Sequence, residues 1–237
     1  ALSSSVKTPV LAVGLSAIHK AHLAAALGLD TGRPVLVLTD DDNAANRFAA
    51  DLRGFSECDI VQLPSRELVM ADVVGVSRGY EQRRLAALDE LTEAHFAVAS
   101  VQAAAQRTMP PEALKAAIVT LAAGETAPLD ELAQSLTRAG YERCVQVEGI
   151  GQFSIRGGIL DVFPPQAEHP YRVEFWDDEI DSISTFDVGS QRRLEQCECL
   201  RCLPCMESIP ALAKGGAAGL AKAVLALTST RRKKQHA

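Results

Sequence analysis

The sequence lacks a long apolar segment. No run of about 18 residues is both apolar and free of charge, so no membrane-spanning helix is expected. The start of the chain, ALSSSVKTPVLAVG, carries an apolar run that is too short for a secretory signal. Because neither a span nor a signal is predicted, we expect a cytoplasmic protein with no membrane partner.

The chain also lacks an excess of basic residues. Lys and Arg number 24 against 30 Asp and Glu, which gives a formal net charge of −6 and a pI of about 5.4. This balance argues against an electrostatic hold on nucleic acid by the whole protein and leaves only local patches to consider. The basic run at residues 231–234 is such a patch, and it is more typical of a solvated chain end.

Complete catalytic and metal-binding motifs are missing as well. The five histidines are scattered, and no Ser, Cys or Asp lies in a nucleophile motif. Four of the six cysteines crowd into CECLRCLPC at residues 197–205, whereas a zinc site needs two separated pairs or one pair with histidines. We therefore expect free thiols, no metal and no cofactor. The acidic cluster at residues 177–181 matches no cation-binding loop and is expected to be a solvated turn.

Short apolar strands alternate with helices in the first half of the chain. The pattern predicts a parallel sheet with helices on both faces. Gly28 is expected to end the first helix, and Asp41 with Asp42 to cap the second. The predicted strands are residues 10–14, 35–39, 59–63 and 96–100, and the predicted helices are residues 17–27, 41–52 and 78–91.

The turn after the first predicted strand has the position of a phosphate-binding loop. Such a loop reads G-x-x-x-x-G-K-[ST] between a strand and a helix, and this chain keeps Gly14 and Lys20 in register. His19 replaces the second glycine with a bulky side chain, and Ala21 replaces the hydroxyl that would bind Mg²⁺. A degenerate phosphate loop that serves as scaffold is therefore expected, without nucleotide hydrolysis.

The pattern changes after residue 111. A strand at residues 118–121 and an amphipathic helix at residues 128–139 precede a region that reads almost entirely as strands, to residue 203. The fold class predicted is α/β: a degenerate P-loop, helicase-like domain with a parallel sheet at residues 1–117, then a small α+β domain with an antiparallel sheet at residues 118–203. Residues 204–237 are less readable and contain a helix candidate at residues 217–227.

Residues 155–191 organise the second domain. Their period-two patterning predicts three strands joined by two turns, an antiparallel meander with one buried face. The first strand contains Gly157-Gly158 and ends at Pro164-Pro165, and the second ends at Asp177-Asp178. Arg156, Arg172 and Trp176 lie on or beside these strands. Two interpretations are open: an exposed aromatic residue flanked by arginines, as in a protein-interface hot spot, or a half-buried Trp among ordinary solvated arginines.

Three strings in this region, RGGILDVFP, YRVEFWDDEIDSISTFD and SQR, resemble the small second domain shared by the excision-repair protein UvrB and the bacterial transcription-repair coupling factors. The ending DVGSQR favours the coupling factors. The resemblance implies a domain that docks onto UvrA, and it places the family's two contact arginines and its contact aromatic residue on Arg156, Arg172 and Trp176. The family commonly has Phe at the last of these positions.

The same resemblance implies that the first domain has a helicase-like fold whose nucleotide site has decayed. Full-length members of the family contact RNA polymerase and translocate on DNA, using ATP and Mg²⁺ in motor domains that this sequence does not contain. We therefore expect a monomeric, non-enzymatic N-terminal adaptor that recruits UvrA in transcription-coupled repair. Two alternatives are a P-loop-like nucleotide-binding ATPase and a truncated product without function.

Overall fold

A computed structural model describes residues 10–66, 79–207 and 214–235, without the side chains of Tyr80 and of residues 227–235. The basic side chains at residues 231–234 and His236 thus lie outside the description. The chain separates into two compact units, residues 1–108 and 109–237. Within the described residues, no helix is long and apolar enough to cross a membrane.

The first unit is built on a three-stranded parallel sheet in the order β1-β3-β2. The central strand β3 pairs with β1 through Phe96 opposite Val35 and with β2 through Phe96 opposite Ile60. The alternating, parallel arrangement predicted from the sequence is present. Its elements are α1 (Ala17–Thr31), β1 (Val35–Thr39), α2 (Asp42–Arg53), β2 (Ile60–Leu63), α3 (Gly79–Glu90), β3 (Phe96–Ser100) and α4 (Val101–Ala105).

Helix α1 continues past Gly28 to a left-handed cap at Gly32, so the prediction that Gly28 ends the helix is wrong. Gly28 is buried and serves packing instead. A Cβ at this position would lie 2.6 Å from the ring of Phe96, the fully buried side chain at the centre of this core. The missing side chain therefore lets α1 approach the sheet closely, a use of glycine that its sequence position does not distinguish from a helix stop.

Residues 10–14 do not form the strand that was predicted. Val10, Leu11 and Val13 are 53%, 87% and 77% exposed, and no described strand pairs with this segment. A short apolar run becomes a strand only when a neighbour satisfies its backbone groups, and periodicity alone does not reveal whether that neighbour exists.

Asp41 and Asp42 divide the roles that the sequence assigned to them jointly. The Asp41 carboxylate caps α2 by accepting a hydrogen bond of 2.7 Å from the backbone N–H of Ala44. The Asp42 carboxylate accepts hydrogen bonds from Ser65 and Ser100, at the carboxyl ends of β2 and β3. Burial opposes ionisation of Asp42, but these hydrogen bonds lower its pKa on balance. Asp42 thereby ties α2 to two strands.

The second unit contains a six-stranded sheet in the order β10-β9-β8-β7-β6-β5, antiparallel except for the β5–β6 pair, and a separate two-stranded ribbon, β11-β4. The predicted first strand of the meander is in fact two strands, since Gly157-Gly158 forms a tight turn between β6 and β7. The elements are α5 (Pro111–Ala117), β4 (Val119–Ala122), α6 (Leu129–Arg138), β5 (Glu142–Arg143), β6 (Gln152–Arg156), β7 (Ile159–Val162), β8 (Tyr171–Trp176), β9 (Glu179–Phe186), β10 (Arg193–Cys197), β11 (Cys199–Cys202) and α7 (Gly216–Gln235).

One face of the six-stranded sheet forms the core of the second unit. Helix α6 buries Leu132 and Leu136 in the same cluster as the fully buried sheet residues. Because side chains alternate along a strand, the residues between these apolar positions lie on the opposite face of the sheet. The residues of the six-stranded sheet that belong to this cluster and have 0% exposure are Phe153, Leu160, Val162, Val173 and Ile183.

The mixed α/β fold class is confirmed, with one parallel and two mainly antiparallel sheets. Its helicase-like character and the predicted boundaries at residues 117 and 203 stay predictions. The division into compact units falls after Thr108, so that α5 groups with the second unit.

Candidate functional site

Two cross-strand rows of mainly polar side chains lie on the sheet face opposite α6. In the first row, Asp161 of β7 is opposite Ser154 of β6 and Arg172 of β8. In the second, Ile159 is opposite both Arg156 and Glu174. We name this surface the docking face and define it by five residues. They are Arg156, Asp161, Arg172, Glu174 and Trp176.

Asp161 is the centre of this face. Its side chain is only 1% exposed, yet it carries a carboxylate that binds two guanidinium groups. Arg172 makes a bidentate pair with it, from Nε to Oδ1 at 2.7 Å and from Nη2 to Oδ2 at 2.9 Å. A buried carboxylate is costly unless it is paired and hydrogen-bonded, and these contacts supply that compensation.

Arg172 also contacts Gln191 and Phe186. Its Nη2 donates to the side-chain oxygen of Gln191 at 3.1 Å, and its guanidinium lies 4.5 Å from the ring centroid of Phe186. Hydrogen bonding to Asp161 raises the pKa of Arg172. Gln191 has a φ of 60°, in the left-handed region that is uncommon for a residue other than glycine. This conformation occurs in the turn between β9 and β10, where the side-chain amide of Gln191 contacts Arg172. Only 18% of the Arg172 side chain is exposed.

Arg156 contacts the same carboxylate more loosely. Its Nη2 donates to Oδ2 of Asp161 at 2.7 Å, and 47% of its side chain is exposed. Among the described residues, no partner accepts a hydrogen bond from its Nε or Nη1. Arg156 therefore presents donors to solvent while one edge of its guanidinium is fixed.

Trp176 ends β8, two residues beyond Glu174 and four beyond Arg172 on the same face. It is 82% exposed, which excludes the half-buried interpretation. The preceding residue, Phe175, packs against the core, and a bulge opposite it on β9 keeps the alternation of β8 intact. An exposed indole on a strand that also carries an arginine on the same face can serve as the apolar anchor of an interface.

A second ion pair borders the face. The carboxylate of Glu174 accepts from Arg193 Nη2 of β10 at 2.7 Å and from the Ser182 hydroxyl at 3.1 Å. The hydrogen bond from Arg193 lowers the pKa of Glu174. Both side chains are substantially exposed, at 34% and 48%, so this pair contributes little to stability.

Sequence reasoning found the arginines and the tryptophan but missed the residues that hold them. Asp161 had a signal, because an acidic residue inside the apolar string ILDV is either misplaced or paired. Gln191 and Phe186 had none, since the contact of Phe186 with Arg172 depends on the register of β8 and β9 and that of Gln191 on the path of the turn after β9. The structure brings Arg156 and Arg172 to one carboxylate and places Trp176 on the same face; whether the three contact a partner stays a prediction.

The residues predicted to form a degenerate phosphate loop lie at the start of α1, and that assignment stays a prediction. Gly14 has a φ of 75°, and the Ser16 hydroxyl caps α1 by accepting from the His19 backbone N–H at 3.5 Å, with His19 Nδ1 3.0 Å away. Ala21 is 0% exposed, so its methyl group packs in the interior rather than facing the loop. Lys20 lines a cleft of about 520 Å³ together with Thr39, Asp40 and Arg47, among others.

The cysteines are free thiols in different environments. Cys199 is exposed, whereas Cys202 and Cys205 are fully buried. Burial raises the pKa of Cys202 to about 12. Among the described residues, no group of three or more His, Cys, Asp or Glu side chains is arranged to hold a metal ion.

These environments predict the order of thiol modification. At pH 8 in the folded protein, we expect Cys202 to react with N-ethylmaleimide on the order of a thousandfold more slowly than Cys199, because its thiolate is rare and shielded. Mass spectrometry of timed samples measures the order, and samples in urea provide the unprotected control. Equal rates in the folded protein would contradict the packing of β11.

Known proteins match this chain both in the second unit and over most of its length. A family model described as the UvrB interaction domain matches residues 119–207. The chain is 35% identical to the transcription-repair-coupling factor of Bacillus subtilis over 88% of its own length, 33% identical to that of Myxococcus xanthus over 82%, and 32% identical to that of Escherichia coli over 73%. These alignments cover only 18%, 17% and 15% of the three relatives.

The matched segment, residues 119–207, begins at β4 and contains all five residues of the docking face. The resemblance predicted from the sequence is therefore confirmed: residues 119–207 carry a UvrB interaction domain, and the chain is related over most of its length to the transcription-repair-coupling factors.

Proposed function

We propose that this chain is an adaptor that recruits UvrA in transcription-coupled nucleotide-excision repair. The second unit docks on UvrA through its docking face, with Trp176 as the apolar anchor and the arginines as the charged part of the contact. The match of residues 119–207 to the UvrB interaction domain supports this class of partner, and the relatives' name supports the pathway.

One observation carries the proposal: Trp176 is 82% exposed on a strand whose neighbours are otherwise well packed. A single exposed apolar residue is common on protein surfaces, so the exposure of Trp176 supports a partner because it occurs on the same sheet face as Arg156. On the same sheet face, the guanidinium of Arg156 adds a donor suited to a carboxylate. Aromatic residues and arginine are the residue types most enriched at the energetic centres of interfaces.

We further propose that the first unit is a non-enzymatic scaffold of helicase-like descent. His19 belongs to the cap of α1, and Ala21 is buried, so neither serves a phosphate or a metal ion. The whole protein of the relatives' type contacts RNA polymerase and translocates on DNA using ATP and Mg²⁺ in other domains. For this chain we propose the recruitment step alone, and a monomer.

Titration of the chain with UvrA in a calorimeter tests the function. We expect saturable binding to UvrA and no heat on titration with ATP and Mg²⁺. A cooperative thermal transition, recorded first, establishes that the chain is folded, whereas its absence would favour the truncated, non-functional alternative. Heat from ATP would favour the nucleotide-binding alternative, and a folded chain that ignores UvrA would end the adaptor proposal.

A further inference from the structure

We propose that Asp161 is a positioning residue for the docking face: its buried carboxylate fixes the guanidinium of Arg156 in the orientation that meets an acidic group of the partner. This inference rests on the proposed docking of UvrA. It assigns different roles to the two arginines, because Arg172 is enclosed and Arg156 is presented.

Both arginines are tied to the same oxygen atom. Oδ2 of Asp161 accepts from Arg156 Nη2 at 2.7 Å and from Arg172 Nη2 at 2.9 Å, while Oδ1 accepts from Arg172 Nε at 2.7 Å. The bidentate pair fixes the plane of the carboxylate, and the fixed carboxylate then fixes Arg156. Arg172 thus supports Arg156 through Asp161 and has little surface of its own to offer, with 18% of its side chain exposed.

The charge balance points to the same residue. One carboxylate shared by two guanidinium groups leaves a net charge of +1, and the more exposed of the two groups is that of Arg156. The neighbouring pair of Glu174 and Arg193 is neutral as a whole. On the far side of Trp176 the chain turns through Asp177 and Asp178, which would repel an acidic group. A carboxylate of the partner is therefore directed towards Arg156.

Positioning matters here because Arg156 is the last residue of β6. It is followed by a Gly157-Gly158 turn, in which Gly157 has a φ of 60°. An arginine at such a place would otherwise sample many rotamers, and binding would have to immobilise it. The contact with Asp161 restricts the guanidinium before the partner arrives and leaves Nε and Nη1 as donors. Preorganisation of this kind increases affinity without adding a contact.

A double-mutant cycle on UvrA binding tests the inference. We expect Asp161→Asn to weaken binding roughly tenfold when Arg156 is present and to have little further effect in an Arg156→Ala background. The thermal stability should fall on Asp161→Asn in both backgrounds, because Arg172 loses its counter-ion in either case. A purely structural role for Asp161 would instead weaken binding equally in both backgrounds, and an unchanged affinity would also overturn the proposal.

A second measurement needs neither UvrA nor a folded Asp161 variant. In NMR spectra of the unmodified chain, the Nη signals of Arg156, assigned by comparison with Arg156→Lys, should be resolved by restricted rotation about the Cζ–Nη bonds. Signals averaged by free rotation would overturn the positioning role. Resolved signals together with no binding of UvrA would place the failure in the proposed function instead.

Discussion

Replacing Arg172 by alanine is expected to lower the free energy of unfolding of the second unit by roughly 3 kcal/mol, the low end of the cost of breaking a buried ion pair. The substitution leaves the carboxylate of Asp161, 1% exposed, with a single contact from Arg156. It also uncovers the ring of Phe186, on which Arg172 lies. Urea denaturation followed by circular dichroism measures the change.

Arg193→Ala is the matched control for this prediction. Arg193 makes an ion pair of the same length, 2.7 Å, from a strand of the same sheet, but it and Glu174 are both substantially exposed. Its loss should cost less than about 1 kcal/mol. If the two variants were destabilised equally, burial would not be what distinguishes these arginines. The comparison also shows why weaker UvrA binding by Arg172→Ala cannot by itself prove that Arg172 touches UvrA.

Replacing Trp176 by alanine is expected to weaken UvrA binding by about 2 kcal/mol or more, the usual cost of truncating a hot-spot aromatic residue, and to leave the melting temperature nearly unchanged. The two effects separate because Trp176 is 82% exposed in the free chain and contributes little to the core. Calorimetric titration with UvrA and a thermal melt of the same sample give both values.

Two further variants make this test specific. Trp176→Phe keeps an aromatic anchor and should retain most of the affinity. Leu36→Ala removes an exposed apolar side chain, 61% exposed on β1 of the first unit, and should not change binding. Unchanged affinity in Trp176→Ala would remove the anchor role and leave Arg156 as the candidate for the contact, whereas equal losses in Trp176→Ala and Leu36→Ala would indicate a non-specific effect.

Local pattern was sufficient for most elements of the fold. The strand at residues 35–39 was predictable from its short apolar run, and the helix of the second domain from period-3.6 patterning that coincides with clear end signals. Gly28 and residues 10–14 were not, because each depends on residues distant in sequence: Gly28 packs against the ring of Phe96, and residues 10–14 have no pairing strand within the part of the chain that the structure describes. Such relations between residues distant in sequence cannot be recognised from a short stretch of sequence.

The candidate site was predictable to a similar depth. Arg156, Arg172 and Trp176 came from their residue types and from family resemblance, but the division between an enclosed and a presented arginine did not. That division arises from the register of β6, β7 and β8, which puts Asp161 beside both arginines, and from the turn that carries Gln191 to Arg172. Register and turn path are tertiary properties, so residue identity alone could not rank the two arginines.

The pairing of β4 with β11 affects how the second unit folds during synthesis. Val119 pairs with Cys202, so the first strand of this unit waits for its partner until almost all of the domain has left the ribosome. The hydroxyl of Tyr141 likewise donates to the carbonyl oxygen of Leu203, at 2.6 Å. Contacts so distant in sequence make for slow closure. The core face of the nascent meander is therefore open until β11 has been synthesised and pairs with β4.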